Sequence, residues 1–235
     1  MRAQAALIQG IEAMDMNVAT PATTERPTER PLAILVDDDA SVRDAIGELL
    51  SSVGIDSVAY ASARELLDTK LPDRPGCIVL DVRMPGLSGI DLQDRLQSSG
   101  ISIPIVFLTG HGDIAMSVQA MKAGAVDFLT KPVRDQNILD AVSAAISADV
   151  ARRKAEAVSR KAVALYETLT PRERQVLRSV VTGSMNKQIA FELDITEVTV
   201  KLHRSSMMKK MHATSITHLL SAWQALPASV RMGES

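Results

Sequence analysis

Five polar side chains follow short apolar runs: Asp37 and Asp38 after Leu32–Val36, Asp81 after Cys77–Leu80, Thr109 after Ile105–Leu108, and Lys131 just past Val126–Leu129. In an open parallel sheet, chemistry collects outside the carboxyl ends of the strands. Three carboxylates, a hydroxyl and an ammonium gathered there could hold a small hard cation and handle a phosphoryl group. Mg²⁺ prefers octahedral oxygen ligation, keeps several waters, and takes only one or two protein carboxylates beside phosphate oxygens. Two acidic side chains, a backbone carbonyl and water meet that need. A third carboxylate could then attack phosphorus, with Lys131 on the equatorial oxygens and Thr109 hydrogen-bonded to the product.

The elements that would place these groups alternate. Leu32–Val36 reads as a strand, and Val42, Ile46, Leu49 and Val53 then recur on one helix face. Ser57–Tyr60 and Ala61–Leu67 read as a second strand and helix. Cys77–Leu80, Ile105–Leu108 and Val126–Leu129 supply three more strands, with helices over Gly89–Gln97, Ile114–Lys122 and Arg134–Ser147. Such alternation implies right-handed crossovers and a parallel sheet covered on both faces. The expected class is α/β: a flavodoxin-like five-stranded sheet of order 2-1-3-4-5 over residues 31–148. Residues 1–30 read as a disordered extension, with a Pro-, Thr- and charge-rich stretch at 19–31 and either a marginal helix or nothing over Met1–Val18. Residues 149–168 are charged and Ala-rich, and should be helical, either extending the fifth helix or linking domains.

After Leu169 the strand signals stop. Thr170, Pro171 and Glu173 spell a helix start, with Thr as cap and Glu three residues on. Helices are expected over Pro171–Val181, Asn186–Leu193, Thr196–Met211 and Thr214–Ala225, a small all-α domain of four helices over residues 169–228. Asp194 and Thr196 are candidate caps for the third. Charge divides the same way: residues 1–150 carry 12 Lys/Arg against 21 Asp/Glu, a net of −9, and residues 151–235 carry 14 against 7, a net of +7. An acidic half joined to a basic half fits a cation-binding or signal-receiving module tied to a nucleic-acid-binding one.

At 100° per residue, Val200, Met207 and Met211 fall within about 40° of one another and form a core stripe. Opposite them lie Val198, Lys201, Leu202, Ser205 and Lys209. An exposed Leu among basic and hydroxyl residues makes sense where it meets thymine methyls in a major groove. Lys201, Leu202 and Ser205 are therefore assigned to base edges, and Arg204, Lys187 and Lys209 to phosphates. His203 borders the core stripe and is read as a packing or phosphate residue.

Cys77 is the sole cysteine, so neither an internal disulfide nor a multi-thiolate metal site can form. Its apolar run makes it a core residue. No stretch of about 18 apolar residues suggests a membrane span, and the N-terminus lacks a secretory pattern. A cytoplasmic location follows, with no membrane partner.

These residues carry a resemblance. Val36–Asp39, Leu80–Gly86, Thr109–Asp113 and Asp127–Pro132 look like the receiver domain of two-component response regulators. LTPRERQVL, GSMNKQIAFELDIT and EVTVKLHRSSMMKKM, within Leu169–Ser215, resemble the LuxR/NarL-type helix-turn-helix, and the whole looks most like the FixJ type. The resemblance implies that Asp81 accepts a phosphoryl group from a sensor histidine kinase. It further implies that Asp38 binds Mg²⁺ directly, that Asp37 helps partly through water, and that the Arg83 carbonyl is a further ligand. Thr109 and Phe128 would be the switch pair, reshaping the face of helix four, strand five and helix five. Lys131–Pro132 would be a cis peptide. The apolar stripe of Ile216, Leu219, Leu220 and Trp223 would pair with its twofold mate, placing two recognition helices on an inverted repeat of double-stranded DNA. RNA polymerase is a further candidate partner. Asp39 is read as a helix cap and His111 as a structural loop residue.

The leading expectation is a phosphorylation-gated, dimeric transcription regulator, not an enzyme. A Mg²⁺-dependent phosphohydrolase with a regulatory tail would instead turn over phosphate esters repeatedly, with loss in Asp81→Asn. A regulator working unphosphorylated would bind DNA indifferently to a phosphodonor.

Overall fold

The computed structural model describes residues 30–110 and 114–232, and the expectations for the N-terminal extension and for His111 lie outside them. Two compact units divide the chain, one ending at Arg153 and the next beginning at Lys154.

The first unit alternates β1 (Leu32–Val36), α1 (Ala40–Ser52), β2 (Asp56–Tyr60), α2 (Ala63–Leu67), β3 (Gly76–Leu80), α3 (Gly89–Ser98), β4 (Ile105–Thr109), α4 (Ile114–Lys122) and β5 (Asp127–Thr130). The strands form one parallel sheet in the order β2-β1-β3-β4-β5. Successive residues of a strand point to opposite faces, and here both faces are core. Leu32, Ile34, Val36, Ile78, Leu80 and Phe107 meet α2, α3 and α4 on one side. Ala33, Leu35, Cys77, Val79, Val106 and Leu108 meet α1 and the helix after β5 on the other. That double burial explains why β1, β3 and β4 are unbroken apolar runs rather than alternating ones. Cys77 is buried, as its setting in the run implied. Truncating Phe107, fully buried at the centre of β4, would cost about 3–5 kcal/mol.

The helix after β5 takes one of the two forms expected for residues 149–168: they extend the fifth helix, and α5 runs Asp135–Glu167 without a break. Its apolar stripe ends near Ile146, but the Ala-, Arg-, Lys- and Glu-rich sequence beyond has high intrinsic helix propensity and no Gly or Pro to stop it. Within the first unit, Asp149 of this helix is fully buried, accepts the Gly76 backbone N–H at 3.0 Å and pairs with Arg152 and Arg153. It thereby holds the start of β3, the strand that leads to Asp81.

The second unit contains α6 (Pro171–Val181), α7 (Asn186–Leu193), α8 (Glu197–Lys210), α9 (Ile216–Ala225) and a short α10 (Ala228–Met232) that the sequence reading did not foresee. Thr170 and Glu173 form the expected capping box. Thr196 caps α8, whereas Asp194 instead ends α7 in a left-handed conformation, φ 49°. The core joins Ala162 and Tyr166 of α5 to Val176, Leu177, Ile189, Val200, Met207, Met211 and Leu219. No helix among the described residues is long and apolar enough to cross a membrane.

Candidate functional site

Ladder hydrogen bonds extend one residue past the strands and pull their carboxyl ends into a row. The Asp81 N–H donates to the Val36 carbonyl at 2.8 Å, the Asp37 N–H to Tyr60 at 3.3 Å, and the Lys131 N–H to Thr109 at 2.8 Å. Oxygens of Asp37, Asp38 and Asp81 consequently lie within 4.8 Å of one another. Asp37, Asp81 and Thr109 are buried, while Asp38 is open to solvent. Gly89 opens α3 directly over the acceptor strand, where a Cβ would stand 2.2 Å from the Asp81 carbonyl oxygen, so no other residue fits.

The three carboxylates are bonded unequally. Asp37 accepts the Asp39 N–H on Oδ1 at 3.0 Å and the Lys131 ammonium on Oδ2 at 2.5 Å. Asp39 caps α1 by accepting the Ser41 N–H at 2.9 Å, as expected. Asp81 Oδ1, in contrast, is buried with no hydrogen-bond partner among the described residues. Burial pushes the Asp81 carboxyl above the ordinary carboxylate range, and Asp37 adds to the rise. Lys131, the Thr109 hydroxyl and the Arg83 backbone N–H offset part of it. A buried acceptor lacking a donor costs free energy unless something supplies positive charge. Three carboxylates within reach of one another, one of them with an oxygen that no donor among the described residues meets, fit a hard divalent cation. Phe128 is half-buried in β5, its ring 5.9 Å from that of Phe107, and the Lys131–Pro132 peptide is cis.

In the second unit, Val200, Met207 and Met211 are fully buried, and Lys201, Leu202, Ser205 and Lys209 are exposed on the opposite side of α8. Leu202 keeps 67% of its surface in water. Lys187 is exposed near the start of α7, and Arg204 donates to the Asn186 side-chain oxygen at 2.9 Å. His203 is half-buried beside the core stripe.

Comparison with known proteins agrees with both halves. Residues 33–143 match the response regulator receiver domain, and residues 167–222 match the luxR family of bacterial regulatory proteins. Nodulation protein W of Bradyrhizobium diazoefficiens is 50% identical over 211 residues, 90% of this chain and 92% of that protein. The chain belongs to the two-component response regulators. Transcriptional regulatory protein FixJ of the same organism is 41% identical over 186 residues, spanning 79% of this chain and 91% of that protein. Among solved structures, the response regulator StyR aligns at 45% identity and a TM-score of 0.73, covering 83% of this chain and 98% of that one. Full-length FixJ from B. japonicum aligns at 38% identity and a TM-score of 0.51, covering 88% and 99%.

Two features of this response regulator escaped the sequence reading. Glu173 was legible only as half of a capping box, yet it is buried and binds α8. Its Oε1 accepts Ser206 Oγ at 2.6 Å, and its Oε2 accepts Lys210 Nζ and the Thr170 N–H, each at 2.7 Å. Burial alone would raise its pKa; Lys210, Ser206 and Thr170 bring it down to about 2. The second is Arg43, whose Nη1 donates to the Asp37 carbonyl at 2.6 Å. An Arg in the first turn of an amphipathic helix reads as solvated surface, and periodicity carries no sign of where its guanidinium goes. Of the α9 stripe, Leu219 is part of this unit's own core and Trp223 packs near Tyr166, while Ile216 is exposed.

Proposed function

We propose that Asp81 accepts a phosphoryl group from a sensor histidine kinase in a Mg²⁺-dependent reaction. Phosphorylation then changes receiver dimerisation and controls sequence-specific DNA binding and transcription in the cytoplasm. The single observation that carries this reading is the buried Asp81 Oδ1, without a hydrogen-bond partner among the described residues and in reach of two further carboxylates. An Asp81 oxygen attacks phosphorus, and the new P–O bond forms as the P–N bond to the kinase phosphohistidine breaks. The imidazole leaves with the electron pair and takes up a proton. Asp38, Asp81, the Arg83 carbonyl and, partly through water, Asp37 would hold Mg²⁺, which when bound supplies neutralisation of the phosphoryl charge. Lys131 exchanges its partner from Asp37 to a phosphoryl oxygen, and Thr109 donates its hydroxyl to another. Movement of Thr109 vacates space that the half-buried Phe128 ring fills.

A stripe on α4 supports dimerisation through the face next to Phe128. Ile114, Val118 and Met121, at i, i+4 and i+7, share a helix face, and Ile114 is 84% exposed. We divide the chain into a receiver over residues 31–148, a helical linker over 149–168 and a DNA-binding domain over 169–228. In the last, Lys201, Leu202 and Ser205 read base edges of an inverted repeat and Arg204, Lys187 and Lys209 hold phosphates. RNA polymerase is the partner through which bound protein would act on transcription. Sizing and gel-shift measurements with and without a small acyl phosphate and Mg²⁺ test the whole: the donor should convert monomer to dimer and tighten operator binding. DNA binding indifferent to the donor would refute the gating.

A further inference from the structure

The acidic turn between β1 and α1 poses a physical problem. Asp37, Asp38 and Asp39 are consecutive carboxylates, and Asp81 brings a fourth acid against the first two. Like charges at this spacing repel, and the turn that carries Asp38 lies beyond the last ladder bond, from the Asp37 N–H. The turn must therefore be held by something other than the sheet.

Asp37 has three acceptor atoms, and each is engaged differently. Its Oδ1 takes the Asp39 N–H, its Oδ2 takes the Lys131 ammonium, and its carbonyl takes Arg43 Nη1 at 2.6 Å. The first two bonds use the carboxylate, which a cation would compete for. The Lys131 bond is also the one that phosphoryl arrival would break. The Arg43 bond uses only the backbone, so it survives both events and leaves the carboxylate oxygens free for a cation. Arg43 is half-buried against the first turn of α1, from which its side chain spans back over the turn. A guanidinium is always charged and its planar fork is pre-organised for such a bond, which a lysine ammonium replaces less well.

We propose that Arg43 is a positioning residue for the divalent-cation site: it clamps the Asp37 carbonyl and holds the β1–α1 turn in the conformation that presents the Asp37 and Asp38 carboxylates. It neither ligates the ion nor touches the phosphoryl group. The inference rests on the cation-dependent reading of the pocket given above.

The test uses the full chain, Mn²⁺ as the probe and the paramagnetic resonance signal of free Mn²⁺ as the readout, without a phosphodonor. Arg43→Ala should weaken Mn²⁺ binding about 10-fold or more, in the range of outer-shell partners of metal ligands, and Arg43→Lys should recover part of it. The metal-free melting temperature should stay within about 3 °C of the parent, a shift that a lost fold would greatly exceed. With acyl phosphate, the Mg²⁺ needed for half-maximal phosphoryl uptake should rise while the rate at saturating Mg²⁺ holds. Binding by Arg43→Ala within about twofold of the parent would overturn the proposal. Where the alanine variant melts below the assay temperature, Arg43→Gln and Arg43→Lys decide on the same terms. The Asp38→Asn variant separates the two levels. Weak binding there with intact binding in Arg43→Ala removes Arg43 alone, whereas unchanged binding in Asp38→Asn removes the pocket reading and Arg43 with it.

Discussion

Asp81 and Glu173 are both buried carboxylates, one in each unit, and they are bonded in opposite ways. Glu173 has both oxygens engaged: a lysine, a serine and a backbone amide bond to them, and it stays ionised down to about pH 2. Asp81 keeps one oxygen without a donor among the described residues, and its pKa is raised. A completed network pins two helices together, whereas an incomplete one stores a bonding demand for something that arrives later. Burial alone does not separate the two acids; the bonds made to their oxygens do.

The sharpest way to break that contrast is Asp81→Asn. An amide cannot serve as the phosphoryl acceptor, so uptake from acyl phosphate should vanish, measured as loss of the +80 Da species by intact mass. The companion expectation concerns stability. Removing a poorly satisfied buried charge should stabilise the first unit by about 1 kcal/mol, seen as slower hydrogen exchange in β1, β3 and β4. Phosphoryl uptake at the parent rate in this variant would move the acceptor elsewhere.

Glu173→Ala should act with the opposite sign. It strands Lys210 and Ser206 and removes the Glu173 half of the capping box, leaving the Thr170 cap itself in place, for a loss of about 3–5 kcal/mol. Trp223, the only tryptophan of the chain, lies in this unit, so its fluorescence in urea follows the affected core directly. A loss below about 1 kcal/mol would mean that the network contributes little beyond a surface ion pair.

The pH dependences of the two acids should also run against each other. The Glu173 pKa falls on folding from 4.5 to about 2, so its contribution is present above the unfolded value and is lost as pH falls through the folded one. Lys210 is one-third exposed, so after screening the term is on the order of 2 kcal/mol over that window. For Asp81 the folded pKa is raised, so the neutral form is favoured on folding. Its contribution is fully present below the ordinary carboxylate pKa and is lost as pH rises through the raised value. Unfolding followed through Trp223 should weaken with acid and respond to Glu173→Gln. Hydrogen exchange in β3 should show the Asp81 trend, abolished by Asp81→Asn.

The same contrast marks how far the sequence could be read. The cluster of Asp37, Asp38 and Asp81 was legible because each acid follows an apolar run, and a doubly covered parallel strand leaves only its end free for polar groups. The core stripe of α8 was legible for a similar reason: Val200, Met207 and Met211 repeat with the helix. What stayed hidden were polar bonds between distant positions. Lys131 reaches Asp37 across 94 residues and Lys210 reaches Glu173 across 37, and neither spacing follows a local period. The helix past Ile146 was legible from composition, Ala-rich and charged with no Gly or Pro to stop it, while the bonds of its buried Asp149 were not.

The smallest effect tests the exposed face of α8, where Lys209 lies opposite the buried methionines near the helix end. Among the described residues no side-chain network engages it, so the role proposed for it rests on charge alone. Each phosphate that a protein neutralises releases about one counterion, and log affinity against log salt then steepens by roughly one unit. Lys209→Ala should therefore flatten that slope by about one unit, weaken all duplexes alike, and leave melting unchanged. Leu202→Ala should do the reverse, relaxing sequence preference with the slope intact, because a methyl contact reads a base without displacing an ion. Titrating operator and scrambled duplexes at several salt concentrations separates the two variants. A sequence preference that changes in Lys209→Ala would place that ammonium on a base edge instead of a phosphate.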